Sequence, residues 1–521
     1  MEELLGAIDQ GTTSTRFIVF NRRFEIVAVH QLEHAQIIPQ PGLCEHDPLL
    51  ILQRVRECIA GCLEKLEKMN IDWKRIKCVG LTNQRETTVV WDRYTGLPLH
   101  NAVVWLDTRT REVVNELTRD RGDRNYYQKK TGLPIASYFS GLKLRWLINN
   151  VPAVKTACDE GRCYFGTIDS WLIWNLTGGI HGGVHITDVS NASRTLLFNL
   201  NTLQWDEEIC KDLSIPMNVL PEVRSSSEVY GHFVDGPLVG VPLSGCLGDQ
   251  QAALVGHMAF QKGEAKNTYG TGCFVLMNMG NQPAFSSKGL LTTVAYKMGP
   301  HADVAYALEG SIAIAGAAVK WLQDNLGIIQ SPSDIGPLAC TVSETGGVYF
   351  VPAFSGLFCP RWREDARGII VGITQYTTKA HIARAVEEAL CYQTREVLEV
   401  MQQESKVKLV ALKVDGGATQ DDFLLQTQSD IVGTPVVRPP MIETTALGAA
   451  LAAGLGIGIW ANTDALVHEA EQILNSPNTT NINANTNTTP SSPPSPTAPT
   501  TPTTPTTVSS PHLPHPHHHH H

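Results

Sequence analysis

Leu4-Leu5-Gly6-Ala7-Ile8-Asp9-Gln10-Gly11-Thr12-Thr13-Ser14-Thr15-Arg16-Phe17-Ile18-Val19-Phe20 is the stretch from which the fold is read. Two short apolar runs, Leu4 to Ile8 and Arg16 to Phe20, flank a turn rich in Gly and Thr, which is the signature of a strand–turn–strand unit. Asn21-Arg22-Arg23 can turn the chain into a third strand, Phe24 to Val29. The turn Asp9 to Ser14 has chemistry suited to phosphate. Gly11 allows close backbone approach, Thr12, Thr13 and Ser14 offer hydroxyls, and Arg16 adds a cation. Asp9 is an anion in a place otherwise suited to anions, which makes sense if a divalent cation sits between the two. An ordinary polar hairpin turn is the competing reading of the motif by itself.

The pattern recurs half a chain later. Thr268-Tyr269-Gly270-Thr271-Gly272-Cys273 is followed by the apolar Phe274-Val275-Leu276-Met277. Two such units predict two related lobes. Helical spacing of apolar residues predicts helices over Pro48–Lys68, Val113–Arg121, Ile314–Asn325 and His381–Gln402. Lys408 to Val414 reads as a strand ending in Asp415-Gly416-Gly417, and Ala446 to Trp460 as a buried helix of small residues. Strands alternating with helices predict an α/β architecture.

The 521 residues are enough for two or three domains. A net charge of −10 argues against a general nucleic-acid binder. Met1-Glu2-Glu3 has no basic region, so no secretory signal is expected. The 12 cysteines form no Cys-x-x-Cys pair and read as free thiols in a reducing compartment. No G-x-x-x-x-G-K-[ST] is present, which excludes a P-loop. Gly454-x-Gly456-x-Gly458 follows a helix rather than a strand, so it is not read as a dinucleotide fingerprint. Asn475 to Ser510 is nearly all Asn, Thr, Ser and Pro and is expected to be disordered, because it buries too little apolar surface to offset its ordering entropy. The His run that ends the chain is left out of the fold reading.

Two hairpin phosphate turns and a late Asp-Gly-Gly resemble the plan of the actin, hexokinase and Hsp70 superfamily. That resemblance implies two actin-like (ribonuclease H-like) lobes with an ATP cleft between them. Within the superfamily, the chain resembles the FGGY carbohydrate kinases from about Leu5 to Trp460. Tyr138-x-Ser140-Gly141-Leu142-Lys143-Leu144-Arg145-Trp146-Leu147 fits the first family signature. Gly368 to Gly372 with His381 to Ala385 fits the second, up to Glu387, where the family usually has an apolar residue. Thr82 to Thr87, Trp105 to Thr110, Gly248 to Ala252 and Lys266 to Phe274 are similar to the branch of the family that acts on glycerol.

The resemblance implies residue roles. Arg85, Glu86, Tyr138, Asp249 and Gln250 would surround the glycerol hydroxyls, with Phe274 along the carbon edge. Asp249 would be the general base for phosphoryl transfer from ATP. The competing reading makes Asp249 a helix N-cap. Thr12, Thr13, Ser14 and Arg16 would hold ATP phosphates from one side and Thr271 from the other. Gly316, Lys320, Gly417 and Asp421 would flank the nucleotide; relatives carry Gln or Arg at the Lys320 position and often Asn at that of Asp421. Asp9 and Asp249 would hold Mg²⁺, partly through water. The domains implied are an N-terminal lobe over 1–254, a C-terminal lobe over 255–474 and a disordered tail over 475–521. A cytoplasmic homo-oligomer, dimer or tetramer, is expected. Some relatives associate with the outer mitochondrial surface, but the polar tail offers no apolar anchor for membrane association. Two other readings are a catalytically weak ATP-binding protein with an interaction role, motivated by the atypical C-terminus, and a kinase for another small polyol.

Overall fold

The computed structural model describes residues 2–354, 356–363, 365–440, 443–475 and 486–491. The opening run forms β1 (Leu4–Gln10) and β2 (Ser14–Phe20), followed by β3 (Ile26–Glu33). With β4 (Ile76–Asn83), β5 (Ser227–His232) and β6 (Pro242–Gly248) they make a sheet in the order β5-β6-β4-β1-β2-β3. β1, β4 and β6 run parallel to one another, while β2 and β5 are antiparallel to their neighbours.

Every residue of β1 is buried, which requires cover on both faces of the sheet. Alternate side chains go opposite ways. Leu4 and Ile8 pack with Ile51, Val55 and Ile59 of α1 (Pro48–Lys68). Leu5 and Ala7 pack with Ala446, Ala449 and Ala453 of a helix from near the far end of the chain. α1 begins where its sequence says it should. Asp47 caps it by accepting from the Leu49 N–H at 3.0 Å, Pro48 holds the first position, and Lys65 and Lys68 sit in the last turn. Further on come α2 (Arg111–Arg121), close to its expected span, and α3 (Ser140–Asn150), which carries the first family signature.

The second sheet follows α4 (Asp249–Gly256). It contains β7 (Glu264–Tyr269), β8 (Cys273–Gly280), β9 (Leu291–Lys297), β10 (Val304–Ile312), β11 (Ala411–Gly416) and β12 (Val436–Arg438). The order is β9-β10-β8-β7-β11-β12, extended by one further edge strand. β7 and β8 form the second expected hairpin, and β7 runs parallel to β11. α5 (Gly316–Asp324), α6 (Lys379–Ser405) and α7 (Asp422–Val432) complete this lobe.

The chain does not stay in the second lobe to its end. α8 (Thr444–Gly456), the small-residue helix, returns to the first sheet and packs on β4, β6, β1 and α4. A Cβ on Gly80 of β4 would run into the Ala449 carbonyl, so helix and sheet meet backbone to backbone. Gly454 and Gly456 lie inside this helix, in keeping with their rejection as a nucleotide fingerprint. The expected boundary at residues 254 and 255 falls within α4, the element that joins the lobes.

One expectation is corrected. Part of the Asn/Thr/Pro/Ser tail is ordered: Thr486–Thr488 pair antiparallel with β12 as an edge strand. The Ser491 N–H donates to Asp430 at 2.6 Å and the Ser429 hydroxyl to the Thr488 carbonyl at 3.0 Å. An open sheet edge supplies backbone partners that composition does not reveal. The rest of the tail expectation lies outside the described residues.

Candidate functional site

Three parallel strands of the first sheet end side by side: Gln10 of β1 opposite Asn83 of β4, and Asn83 opposite Gly248 of β6. Ligands gather beyond the carboxyl ends of parallel strands, where helix N-termini and loops converge. Here those ends deliver Asp9 and the Gly11–Ser14 turn, the Arg85-Glu86 pair, and Asp249. β7 and β11 do the same for the second lobe, with Tyr269 opposite Gly416. Most of the residues expected at substrate and nucleotide therefore come from five strand ends, three in the first sheet and two in the second.

Arg85 and Glu86 are buried, and their surroundings explain why they can be. Arg85 makes a bidentate pair with Glu309 of β10, at 2.8 and 2.5 Å. Its Nε lies 3.4 Å from Asp249. Arg194 also reaches Glu309, at 3.2 Å, and forks onto one oxygen of Glu86 at 2.8 and 2.7 Å. The chain Glu86–Arg194–Glu309–Arg85–Asp249 alternates charge, and its middle member, Glu309, comes from the second lobe. Burial by itself would raise the Glu309 carboxyl, but Arg194 and Arg85 override it and hold it at about 2. Glu86 takes a left-handed backbone, φ 63°, and its carbonyl accepts from the Ser140 and Thr88 hydroxyls at 3.0 and 2.9 Å. Those bonds hold a conformation that an L-residue adopts at a cost.

Tyr138 stacks on Trp105, with centroids 6.3 Å apart and planes 19° from parallel. The Trp105 indole N–H donates to the Thr12 hydroxyl at 2.9 Å. An aromatic wall thus connects the expected substrate residue Tyr138 to the first phosphate turn. That turn is closed by Gly11 N–H to the Ser14 carbonyl at 2.8 Å, and Thr13 is exposed at its tip. Arg16 is more committed than expected: its guanidinium lies between Asp9 and Glu443, the residue that precedes α8. It ties the phosphate turn to the returning helix.

In the second lobe, Thr271 is exposed at the tip of its turn, and its carbonyl accepts from the Ala315 and Ala317 N–H groups at 2.8 and 3.1 Å. Gly316 donates to the Gly270 carbonyl at 2.9 Å, and a Cβ on it would meet that oxygen at 2.6 Å, so the start of α5 lies directly against the turn. Phe274, half-buried, stands in β8 of this hairpin, opposite Thr268 of β7. Gly417 has open space where a side chain would be, as a residue under a flat ligand needs. Lys320 is exposed one turn into α5. Asp421 has a structural duty: it caps α7 by accepting from the Leu424 N–H at 3.1 Å. It also lies beside buried Glu387, whose carboxyl is pushed well up by burial first and by the Asp421 carboxylate second. Two of the three departures from the family pattern, Glu387 and Asp421, are thus neighbours, one acid holding its proton against the other.

The N-cap reading of Asp249 is corrected. Gly248 is the N-cap and Asp249 the first helical residue, its carboxylate 2.9 Å from the Gln250 N–H. Burial raises the Asp249 carboxyl to about 6, Arg85 opposes the rise, and Glu86 and Asp9 add to it. The side chain still keeps 34% of its surface open to the cleft, so solvent limits the rise until a ligand closes over it. A carboxyl near 6 is placed to take up a proton at neutral pH. Asp9 and Asp249 are oxygen donors at the ends of β1 and β6, which flank β4, and the Asp9 carboxylate disfavours charge on Asp249. That is the donor chemistry a hard divalent cation satisfies, so the residues present fit Mg²⁺.

Sequence reading gave no role to Trp105, Arg194, Glu309 or Lys266. Trp105 and Lys266 stood inside quoted motifs, which was a usable signal. Arg194 and Glu309 stand in no motif, and their roles emerge only from the pairing between lobes.

The family model described as "FGGY family of carbohydrate kinases, N-terminal domain" matches residues 4–256, and the C-terminal domain model matches 265–457. The chain is 57% identical over 467 residues to a glycerol kinase of Brucella anthropi, covering 90% of this chain and 93% of that one. It is 54% identical to a glycerol kinase of Arabidopsis thaliana, covering 91% and 92%. The structure of Plasmodium falciparum glycerol kinase with ADP superposes with a TM-score of 0.85 at 42% identity, covering 90% and 92%. A gluconate kinase from Lactobacillus acidophilus, at 23% identity, covers 90% and 92% with a TM-score of 0.78 and shares the fold.

Proposed function

The chain belongs to the FGGY family of carbohydrate kinases, and from that membership we infer that it is an ATP-dependent glycerol phosphotransferase. It transfers the γ-phosphoryl group of ATP to glycerol. The observation that carries the substrate is the continuous buried network Glu86–Arg194–Glu309–Arg85–Asp249, opening on a cleft walled by Trp105 and Tyr138. It presents fixed donors and acceptors to a small molecule that is hydroxyl on every carbon, and penalises any analogue that leaves one of them unpaired.

Phosphoryl transfer needs positioning, charge neutralisation and a place for the nucleophile's proton. Arg85, locked by Glu309, cannot swing away and so fixes where a hydroxyl oxygen sits. Glu86 has one oxygen engaged by Arg194, which leaves the other to accept from a hydroxyl. Asp249, with its carboxyl near 6, takes the proton of the attacking hydroxyl. Arg85 beside it keeps the carboxylate charged until that moment. The turns at Thr12–Ser14 and Gly270–Gly272 offer hydroxyls and backbone N–H groups to the phosphates from the two lobes. We propose Mg²⁺ between Asp9 and Asp249, where it would neutralise charge on the transferring phosphates. The Gly417 turn supports an adenosine face there, with Asp421 reserved for its helix. Among the described residues no helix is long and apolar enough to cross a membrane. The twelve cysteines are all free and ten are buried, in keeping with a reducing compartment such as the cytoplasm.

The test is direct. The purified chain is incubated with ATP, Mg²⁺ and glycerol, and the product is identified by mass spectrometry. Glycerol 3-phosphate is expected; folded protein that forms none, or that forms more product from another polyol, would overturn the reading.

A further inference from the structure

Lys266 of β7 is a fully buried lysine between α4 and the second phosphate hairpin. Its ammonium has three N–H groups and three acceptors. These are the side-chain carbonyl of Gln250, the Thr268 hydroxyl at 2.8 Å and the Phe274 carbonyl at 3.2 Å. The first belongs to α4, which carries Asp249, and the other two to the second phosphate hairpin. Burying an ammonium is costly unless every proton is matched, and here each one is. Burial lowers the Lys266 pKa to about 8, while Asp415 and Glu309 work to keep the charge.

This arrangement decides which way the Gln250 amide points. A primary amide can donate from one end and accept at the other, so by itself Gln250 could play either part toward a hydroxyl. An ammonium has no lone pair and can only donate. Facing Lys266, Gln250 must present its carbonyl oxygen, and its NH₂ is the end left for the cleft. The part open to Gln250 toward a hydroxyl is thereby narrowed to donation.

We propose that Lys266 is a positioning residue for substrate selectivity: by holding the Gln250 carbonyl it turns the amide NH₂ toward a substrate hydroxyl. The inference rests on the glycerol kinase reading above. The acceptors in the cleft, Glu86 and Asp249, then take hydroxyl protons, while Arg85 and Gln250 give protons to hydroxyl oxygens. Each hydroxyl is read by a group of fixed sense, which is what selective recognition of a small polyol requires.

The experiment uses the full chain and three variants: Lys266→Met, Gln250→Glu and the double variant. Glycerol KM, kcat and ATP KM are measured, with the same constants for glycerol analogues that each lack one hydroxyl. Gln250→Glu keeps an oxygen for Lys266 and removes the donor from the cleft. Each single variant is expected to raise glycerol KM about tenfold, the worth of one hydrogen bond, with ATP KM unchanged. Preference for glycerol over one of the analogues should shrink by the same factor. Because both changes remove one donor, the double variant should lose little more than either alone. Additive losses, or unchanged preference in either folded single variant, would overturn the proposal. If Lys266→Met does not fold, Gln250→Glu alone decides: full retention of the preference for glycerol refutes the role. Wild-type protein that fails to turn over glycerol would instead refute the glycerol reading itself.

Discussion

Gly448 of α8 lies against the backbone of Ala252 in α4, so close that a Cβ on Gly448 would fall inside the shell of the Ala252 carbonyl oxygen. Gly256 of α4 meets the Thr444 carbonyl in the same way. The two helices cross with no side chain between them. α4 carries Asp249 at its N-terminus, so the helix that returns from the second half of the chain sets the position of the carboxylate proposed as the proton acceptor.

Gly448→Ala is expected to push the helices apart. The cost of overpacking so tight a crossing is about 3 kcal/mol. Turnover should fall along with stability, because Asp249 moves with α4. Thermal unfolding and kcat at a temperature well below the transition check this. A variant with unchanged midpoint would show that the crossing yields more easily than its geometry implies.

Asp249→Asn keeps the shape and removes the proton acceptor. Turnover should drop by about 10²–10⁴-fold, with ATP binding little changed. In the wild type the carboxylate must be charged to act. With a carboxyl near 6, kcat/KM should rise with pH and level off above about 7. A rate that is flat between pH 5 and 7 would place the proton elsewhere.

Glu309→Gln leaves Arg85 and Arg194 buried with one negative partner fewer. Breaking a buried pair in this way costs about 3–5 kcal/mol. Both glycerol KM and stability should suffer, since Arg85 and Glu86 are held through this one carboxylate. Chemical denaturation and a glycerol titration together test this. A change in only one of the two would separate the structural role from the positioning one.

Glu387 should make stability depend on pH. Its folded carboxyl is raised above the ordinary value, so its contribution is fully present below about 4.5 and is lost as pH rises through the folded value. Glu387→Gln mimics the protonated form and should be more stable than wild type at pH 8, with the gap closing at pH 5. Asp421→Ala should lose about 1 kcal/mol through its cap on α7, whereas Asp421→Asn keeps the cap. Melting curves across pH 5–8 read both effects.

Much of the fold was legible in the chain. The β1–turn–β2 hairpin, the capped start of α1 at Asp47-Pro48 and the second hairpin at Thr268–Cys273 all follow from turn chemistry and apolar spacing over a few residues. The strand expected over Lys408–Val414 is observed at Ala411–Gly416, carried into the first glycine of the Asp-Gly-Gly run. Arg85, Glu86 and Asp249, expected at the substrate, were legible as motif, and the structure links them through Arg194 and Glu309.

What the sequence by itself determined is the local grammar: which runs are strands, where the glycine turns fall, and which residues carry charge and hydroxyls to the strand ends. Tertiary structure alone decided that Ala446–Gly456 belongs against the first sheet, that Thr486–Thr488 pairs at an edge, and that Glu309 lies between Arg85 and Arg194. It also turned Gln250 into a donor by placing Lys266 behind it. The physical reason is range. Periodicity and turn preference act over one or two turns of chain, so they are written in consecutive residues. The sense of the Gln250 hydrogen bond depends on a lysine in another element, and the pairing of the buried ion network depends on partners more than a hundred residues away, so no local pattern records which acid will meet which guanidinium.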